Sequence, residues 1–245
     1  MIKQHLHDGT ANPEWLAQRI GKFTGSRFGD LMRTTGGRPA IPARPAVETV
    51  RDADGNVITR ASKATAEKPA LPGKPTAARA NLIATIVIER MTGKPIEVFE
   101  NFAMRRGSEL EPLSIETYEN LKMVAVQDVG FVDSPLYDFI GVSPDGYVGE
   151  DGMIETKSPM SESKHLGALL DATHADEYVW QIQGQMWICE RAWVDMVSFD
   201  PRWPKPYDMK IVRVARDESL IADLEEACIK ANDEVEMIIA RLTAS

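Results

Sequence analysis

Asp145 and Glu155 lie ten positions apart, and Lys157 follows Glu155 by two. The stretch runs Gly141-Val142-Ser143-Pro144-Asp145-Gly146-Tyr147-Val148, then a polar turn Gly149-Glu150-Asp151-Gly152, then Met153-Ile154-Glu155-Thr156-Lys157. A strand shows alternate residues on one face, so Glu155 and Lys157 point the same way and Thr156 points opposite. The turn brings the Asp145 strand alongside. Two carboxylates and an ammonium then meet at one point. Hard oxygen anions suit Mg²⁺ or Mn²⁺, and a lysine beside the ion can hold or polarise a water. Taken alone, the pattern is also that of a solvated hairpin with an exposed ion pair. Pro144 and Gly146 constrain the chain at Asp145, and apolar Ile140 and Val142 precede it. Ser158-Pro159 ends the second strand at a sheet edge, where ligands of α/β sheets bind. These features favour a site.

Other segments supply candidate partners. Glu111, in Arg106-Gly107-Ser108-Glu109-Leu110-Glu111 on a helix, is a third carboxylate that could reach the ion through water or hold a second one. Gly107 would admit close approach of a ligand or backbone. Gln181, Gln183 and Gln185 stand among apolar and aromatic residues of a helix, and a buried amide must find partners. Gln181 and Gln185 share one face and Gln183 another; at least one of them faces a polar site. Arg19 ends a first helix, and Thr24-Gly25-Ser26 opens a second, with Ser26 as its cap. An arginine, two hydroxyls and a helix N-terminus suit a phosphate. Ser143, two residues before Asp145, would share its strand face and add a hydroxyl.

The positioning elements follow from periodicity and caps. Asn12-Pro13-Glu14 starts a helix with stripe Trp15, Leu16 and Ile20, ended by Gly21. Thr76 to Met91 is a helix stopped by Gly93, and a further helix runs from about Asn101 to Leu121. Short strands lead to Lys157. Helices at 161–171 and 177–190 precede strands Val194–Phe199 and Met209–Val214. A last helix, Asp217 to Leu242, carries Leu220, Leu224, Cys228, Val235, Ile238 and Leu242 on one side. This order predicts an α/β chain of the mixed α+β kind, with a central mixed β-sheet flanked by helices. The 245 residues, 43% of them hydrophobic, read as one domain over 1–245 able to bury a sizeable core. Residues 38–75, punctuated by Pro39, Pro42, Pro45, Pro69, Pro72 and Pro75, read as an inserted arm with a hairpin over 47–59. No run of about 18 apolar residues suggests a membrane span, and residues 1–12 do not resemble a secretory signal. Two cysteines, Cys189 and Cys228, fit buried thiols in a reducing cytoplasm. No Cys/His cluster has zinc spacing. The net charge of −9 excludes a uniformly basic coat but not a local basic groove.

Six segments in order resemble the phage-type alkaline exonucleases, the lambda exonuclease or YqaJ-like branch of the PD-(D/E)xK nuclease superfamily. They are Trp15…Arg19-Ile20-Gly21…Thr24-Gly25-Ser26; Gly107-Ser108-Glu109-Leu110-Glu111; Ser143-Pro144-Asp145-Gly146; Ile154-Glu155-Thr156-Lys157; Gln181-Ile182-Gln183…Met186-Trp187; and Phe199-Asp200-Pro201-Arg202. The resemblance spans most of the chain outside the arm. It implies that Asp145, Glu155 and the Thr156 carbonyl bind catalytic Mg²⁺, with Mn²⁺ as substitute, and that Glu111 supports a second ion or its waters. Lys157 would orient the attacking water, and Gln181 the water or the scissile phosphate, with Gln183 the less favoured choice. Arg19, Thr24, Ser26 and Ser143 would hold the 5′-phosphate of a DNA end. The implied activity is 5′→3′ digestion of one strand of linear double-stranded DNA to 5′-mononucleotides. The implied partners are a homotrimeric ring around the DNA and a single-strand annealing protein of phage recombination, in the cytoplasm of a bacterial host. A PD-(D/E)xK nuclease of other specificity, single-strand or endonucleolytic, and a non-catalytic DNA-binding recombination protein are the alternatives. The arm reads as a solvated insertion; Arg38, Arg44, Arg51, Arg60, Lys63, Lys68 and Lys74 leave a DNA-contacting flap as its other reading.

Overall fold

A computed structural model describes residues 12–35, 50–51, 57–59, 73–96, 101–171 and 174–244. The chain divides into two units, Arg33–Ala77 and the remainder. In the larger unit, α1 (Pro13–Arg19) starts where the Asn12 side chain accepts from Glu14 N at 3.0 Å. Then come β1 (Phe23–Thr24), a single 3-10 turn (Gly25–Arg27) and α2 (Phe28–Met32). The smaller unit holds β2 (Thr34–Thr35), β3 (Val50–Arg51), β4 (Val57–Thr59) and β5 (Lys74–Pro75). There β2 pairs antiparallel with β5, and β3 with β4, the hairpin expected from sequence. Its turn at 52–56, residues 47–49, and Arg38, Arg44, Arg60, Lys63 and Lys68 lie outside the described residues.

The larger unit continues with α3 (Ala77–Thr92), α4 (Phe102–Lys122), β6 (Val126–Gln127), β7 (Val132–Asp133), β8 (Ile140–Val142), β9 (Gly146–Val148) and β10 (Gly152–Lys157). It closes with α5 (Glu162–Asp171), α6 (His174–Glu177), α7 (Val179–Ile188), β11 (Trp193–Phe199), β12 (Met209–Ala215) and α8 (Glu218–Thr243). The expected helix over 177–190 is interrupted at Tyr178, whose φ of −111° and ψ of 11° cap α7 instead of continuing α6.

The main sheet has the order β12-β11-β10-β9-β6. β10 and β11 run parallel, and the other neighbours antiparallel, so the sheet is mixed. A smaller sheet, β1-β8-β7, pairs β1 parallel with β8. β10 is central and buried on both faces. Met153 joins Ile182, Met186, Val194 and Met196 under α7, while Ile154 joins Tyr118, Val148, Val197 and Phe199 under α4. This alternation carries Glu155 and Lys157 to the α7 face. A third core gathers Phe23, Phe28, Ile86, Val142, Leu224 and Cys228 from α2, α3, α8 and the small sheet. The α8 stripe is Ile221, Leu224, Cys228, Ala231 and Val235; Leu242, expected in it, is 57% exposed because the core ends before the last turn.

Two anchors fix α4 on the sheet. The Tyr118 hydroxyl donates to Asp195 Oδ2 at 2.7 Å, and Arg213 forks onto the same buried carboxylate at 2.8 Å. Arg106 donates to the carbonyls of Ser158 and Pro159 and to Asp200 Oδ1. Arg202 grips both Asp200 oxygens, so the loop after Lys157 is tied down. Glu111 lies between the anchors, seven residues before Tyr118 and on its side of the helix.

At Gly184 in α7, an added Cβ would sit 2.3 Å from the buried Phe28 ring. Gly184→Ala is expected to lower unfolding stability by roughly 1–3 kcal/mol from overpacking, although alanine is the better helix former by about 1 kcal/mol. Urea unfolding checks it; an unchanged or raised midpoint would show that α7 and α2 are not packed this closely.

Candidate active site

Glu155 is the most fully held side chain of the cleft, 1% exposed. Its Oε1 accepts from Lys157 Nζ at 2.5 Å and from Gln181 Nε2 at 2.5 Å, and its Oε2 accepts from Gln185 Nε2 at 2.7 Å. Gln181 and Gln185 are one turn apart on α7, so one helix face delivers both amides. Gln183 is placed elsewhere. Its Nε2 donates to the Ala215 carbonyl and its Oε1 accepts from Asp217 N, both at 2.9 Å. It joins the end of β12 to the start of α8, on the side of α7 away from Glu155. Gln185 is therefore the second glutamine of the cleft; the four-residue spacing from Gln181 was its sequence signal.

Asp145 sits in the connection from β8 to β9, where the sheet opens. β9 pairs with β10 only as far as Ile154, leaving the next residues without a neighbour on that edge. Into this gap Thr156 N donates to Asp145 Oδ2 at 2.6 Å. The N–H and C=O of a strand residue face the same neighbour, so the Thr156 carbonyl also lies on the open edge. Glu111 approaches from α4, beside Pro112, which removes one rung of the helix ladder. Gly107 meets no close protein neighbour among the described residues; a Cβ there would have nothing within 4 Å.

The electrostatics are those of a site short of positive charge. Burial, then the charges of Glu155 and Glu111, push Asp145 well above the usual carboxylate range, against Lys157 and the Thr156 hydrogen bond. Burial and Glu155 raise Glu111 to about 7. Burial disfavours the Lys157 ammonium, but Glu155 and Asp145 outweigh it and raise the pKa. Its carboxylate neighbours thus favour the ammonium form of Lys157. Among the described residues, Glu111 and Asp145 Oδ1 have no hydrogen-bond or ion-pair partner. No three His, Cys, Asp or Glu side chains among those residues already converge on a metal position. The carboxylates repel one another, and both Glu155 oxygens are taken up by donors. The donor set remains the hard-oxygen kind a Mg²⁺-like ion prefers: Asp145, Glu111, the one lone pair left on Glu155 Oε2 and a backbone carbonyl. The residues fit such an ion.

Beside this cluster lies a second polar group. Arg19 donates from Nη1 to Ser143 Oγ at 3.4 Å and from Nη2 to Thr24 Oγ1 at 3.2 Å. Trp15 Nε1 donates to Ser143 Oγ at 3.1 Å, and the Trp15 ring lies 4.1 Å from the guanidinium. Arg19 makes no ion pair among the described residues. Burial lowers its pKa to about 10, opposed by Glu89 and helped by Arg27. It stays charged at neutral pH, favoured by the Glu89 carboxylate but not paired with it. Ser143 Oγ accepts twice, which leaves its own O–H free to donate. Ser26 does not cap α2: it lies inside the 3-10 turn and is exposed. Trp15 was missed as a site residue, although its spacing from Arg19 puts both on one face of α1. Gln185 Nε2 also lies 3.4 Å from the Ser143 carbonyl, so a single amide joins the two polar groups.

This fold is of the PD-(D/E)xK type, a mixed α+β domain, and the carboxylates described above lie at the open edge of its sheet. The chain belongs to the YqaJ-like viral recombinase domain family, which it matches over residues 14–192. Among solved structures it is similar to an alkaline exonuclease (LHK-Exo) from Laribacter hongkongensis. The match has a TM-score of 0.74 and 31% identity, over 94% of this chain and 96% of that one. The complex of LHK-Exo with dAMP matches at 32% identity with the same TM-score, 0.74, and the same coverage. A phage-related exonuclease from Haemophilus somnus 129PT shares the fold at 17% identity and TM-score 0.57, over 68% of this chain and 85% of that one. None of the curated proteins matches the chain. No helix among the described residues is long and apolar enough to cross a membrane.

The raised carboxyls carry a stability consequence. A carboxyl whose folded pKa exceeds its unfolded value binds more protons when folded, so stability falls as pH rises between the two. For Glu111 that window runs from the ordinary carboxylate range to about 7. Metal-free protein is expected to melt at lower temperature at pH 8 than at pH 5.5. Asp145→Asn should remove much of that drop, and so should Mg²⁺ with the parent protein. Thermal melts in EDTA check this; identical pH dependence for parent and variant would contradict it.

Proposed function

We propose that the protein is a divalent-metal-dependent 5′→3′ exonuclease that digests one strand of linear double-stranded DNA to 5′-mononucleotides. The observation that carries this is the continuity of the two polar groups. A charged arginine without an ion-pair partner among the described residues is linked, through Ser143 and then Gln185, to a carboxylate cluster short of cations. Both groups lack what a DNA end would bring: a terminal phosphate, and a phosphodiester with its metal ion.

Asp145, Glu155, Glu111 and the Thr156 carbonyl would hold Mg²⁺, or Mn²⁺ in its place. Bound there, the ion neutralises charge on the phosphodiester and acidifies water. Lys157 holds the attacking water through its ammonium and balances charge developing on phosphorus oxygens. Gln181 keeps Glu155 Oε1 turned toward that place and offers its amide to the water or phosphate. Arg19, with the hydroxyls of Ser143 and Thr24, binds the 5′-phosphate, and Ser26 adds a hydroxyl at the exposed rim. Fixing the end positions the first internal bond and favours cutting from that end. Similarity to LHK-Exo, with a dAMP complex of its own, supports the reading.

The biological role follows as phage-type recombination by single-strand annealing, in the cytoplasm of a bacterial host, with an annealing protein as partner. A homotrimeric ring would keep an acidic chain of net charge −9 on DNA, with basic groups turned to the channel.

Linear duplex labelled separately at each 5′ and 3′ end is expected to lose its 5′ label first, as mononucleotide, only with Mg²⁺ or Mn²⁺. Closed circular duplex should stay intact. Lys157→Ala should abolish hydrolysis while DNA binding persists, and Arg19→Ala should slow 5′-phosphorylated ends far more than 5′-hydroxyl ends. Cutting of closed circles, loss of the 3′ label first, or normal turnover by Lys157→Ala would overturn the reading.

A further inference from the structure

Arg19 has a carboxylate close by that does not pair with it. Glu89 stands near the end of α3 and is half-buried. Burial works against the Arg19 cation, and the charge of Glu89 offsets part of that loss. Yet Glu89 itself is held elsewhere. Its Oε2 accepts from Gly21 N at 2.9 Å and its Oε1 from Ile96 N at 3.2 Å. The next residue, Arg90, donates from Nε to the Gly21 carbonyl at 2.9 Å and pairs through Nη1 with Glu236 of α8 at 2.6 Å. Both polar backbone groups of Gly21 are thus taken by adjacent side chains of one helix.

That turn joins two groups of the phosphate site. Gly21 follows Arg19 by two residues and precedes Thr24 by three. Its φ of 71° is left-handed, and a Cβ there would lie 2.7 Å from Arg90 Cγ, so glycine lets the turn lie against α3. Arg19 keeps Nη1 on Ser143 and Nη2 on Thr24. A carboxylate free to rotate would swing onto this guanidinium and take the place of a ligand. Two backbone N–H groups keep Glu89 from doing so. It lends negative charge to the pocket without occupying it. An anion on Arg19 would then meet attraction from the guanidinium and repulsion from Glu89, and in a poorly hydrated site such charges act well beyond contact.

We propose that Glu89 weakens the hold of Arg19 on a 5′-phosphate, so that the mononucleotide product leaves the pocket between cuts. The inference rests on the reading of Arg19 as the 5′-phosphate site. In that reading the DNA end and the released mononucleotide carry the same group. A pocket that grips the end therefore also retains the product, and release can limit turnover. With no ligand bound, the same carboxylate balances the buried guanidinium. Glu89 acts through Arg19, as a positioning residue whose charge tunes the site.

Isothermal titration of the full chain with deoxyadenosine 5′-monophosphate, in EDTA and at fixed ionic strength, tests it. The parent protein is expected to bind the nucleotide, and Arg19→Ala to lose most of that affinity. Glu89→Gln should bind it about tenfold more tightly, equivalent to about 1.4 kcal/mol. Glutamine loses one backbone bond along with the charge, and a loosened turn would weaken binding, so the direction of the change separates charge from scaffold. With Mg²⁺, added mononucleotide should inhibit digestion by Glu89→Gln at about tenfold lower concentration than the parent. Affinity in Glu89→Gln equal to or below that of the parent would overturn the role of Glu89. Equal affinity in the parent and Arg19→Ala would instead overturn the phosphate-site reading. If Glu89→Gln is unfolded alone, the nucleotide should restore its fold by balancing Arg19; a variant unfolded in its presence too would overturn the proposal.

Discussion

A buried carboxylate must be met by donors or it will not stay ionised. Glu155 is met by three, and the rest of the cleft is arranged around that requirement. Lys157 reaches it because a strand repeats every two residues. Gln181 and Gln185 reach it because a helix repeats every four. The two periods coincide only if β10 and α7 keep one register, and the Met153, Ile182 and Met186 core holds them there. Gly184 lets α7 lie close to Phe28 on its other side. The packing of a whole helix thus serves one side chain.

With Glu155 held by three donors, the deficit of charge passes to its neighbours. Asp145 has one oxygen on Thr156 N and the other free, and Glu111 has no partner among the described residues. Both are pushed toward protonation by burial and then by the charge of Glu155. Arg19 presents the opposite imbalance, a buried cation between Trp15, Ser143 and Thr24 with no ion-pair partner among the described residues. Such imbalances destabilise a fold, so their presence side by side marks a place arranged for a ligand. A phosphodiester with a divalent ion answers both.

Much of this could be read from local chemistry. Asp145, Glu155 and Lys157 followed from strand alternation and a tight turn; the mixed sheet followed from the order of periodic segments. The glutamines were harder. Helical phase separates Gln183 from Gln181 and Gln185, but residues 182–188 of α7 are all buried, so no polar face says which side meets the sheet. Only the join of β12 to α8 claims Gln183. Ser26 looked like a cap because a hydroxyl precedes an apolar helix; the 3-10 turn moves that position, and Thr24 faces Arg19 instead. Gly107 was read as admitting a ligand or a backbone, and no backbone comes close to it among the described residues.

The link between the two polar groups is Gln185, which touches Ser143 and Glu155 with one amide. Release of the first nucleotide from 5′-phosphorylated and 5′-hydroxyl duplexes, by the parent protein and by Gln185→Leu, tests that link directly. A general loss of activity would slow both substrates alike and leave their ratio unchanged. The account predicts that the preference for the 5′-phosphate shrinks severalfold in the variant. A preference equal to that of the parent would contradict it.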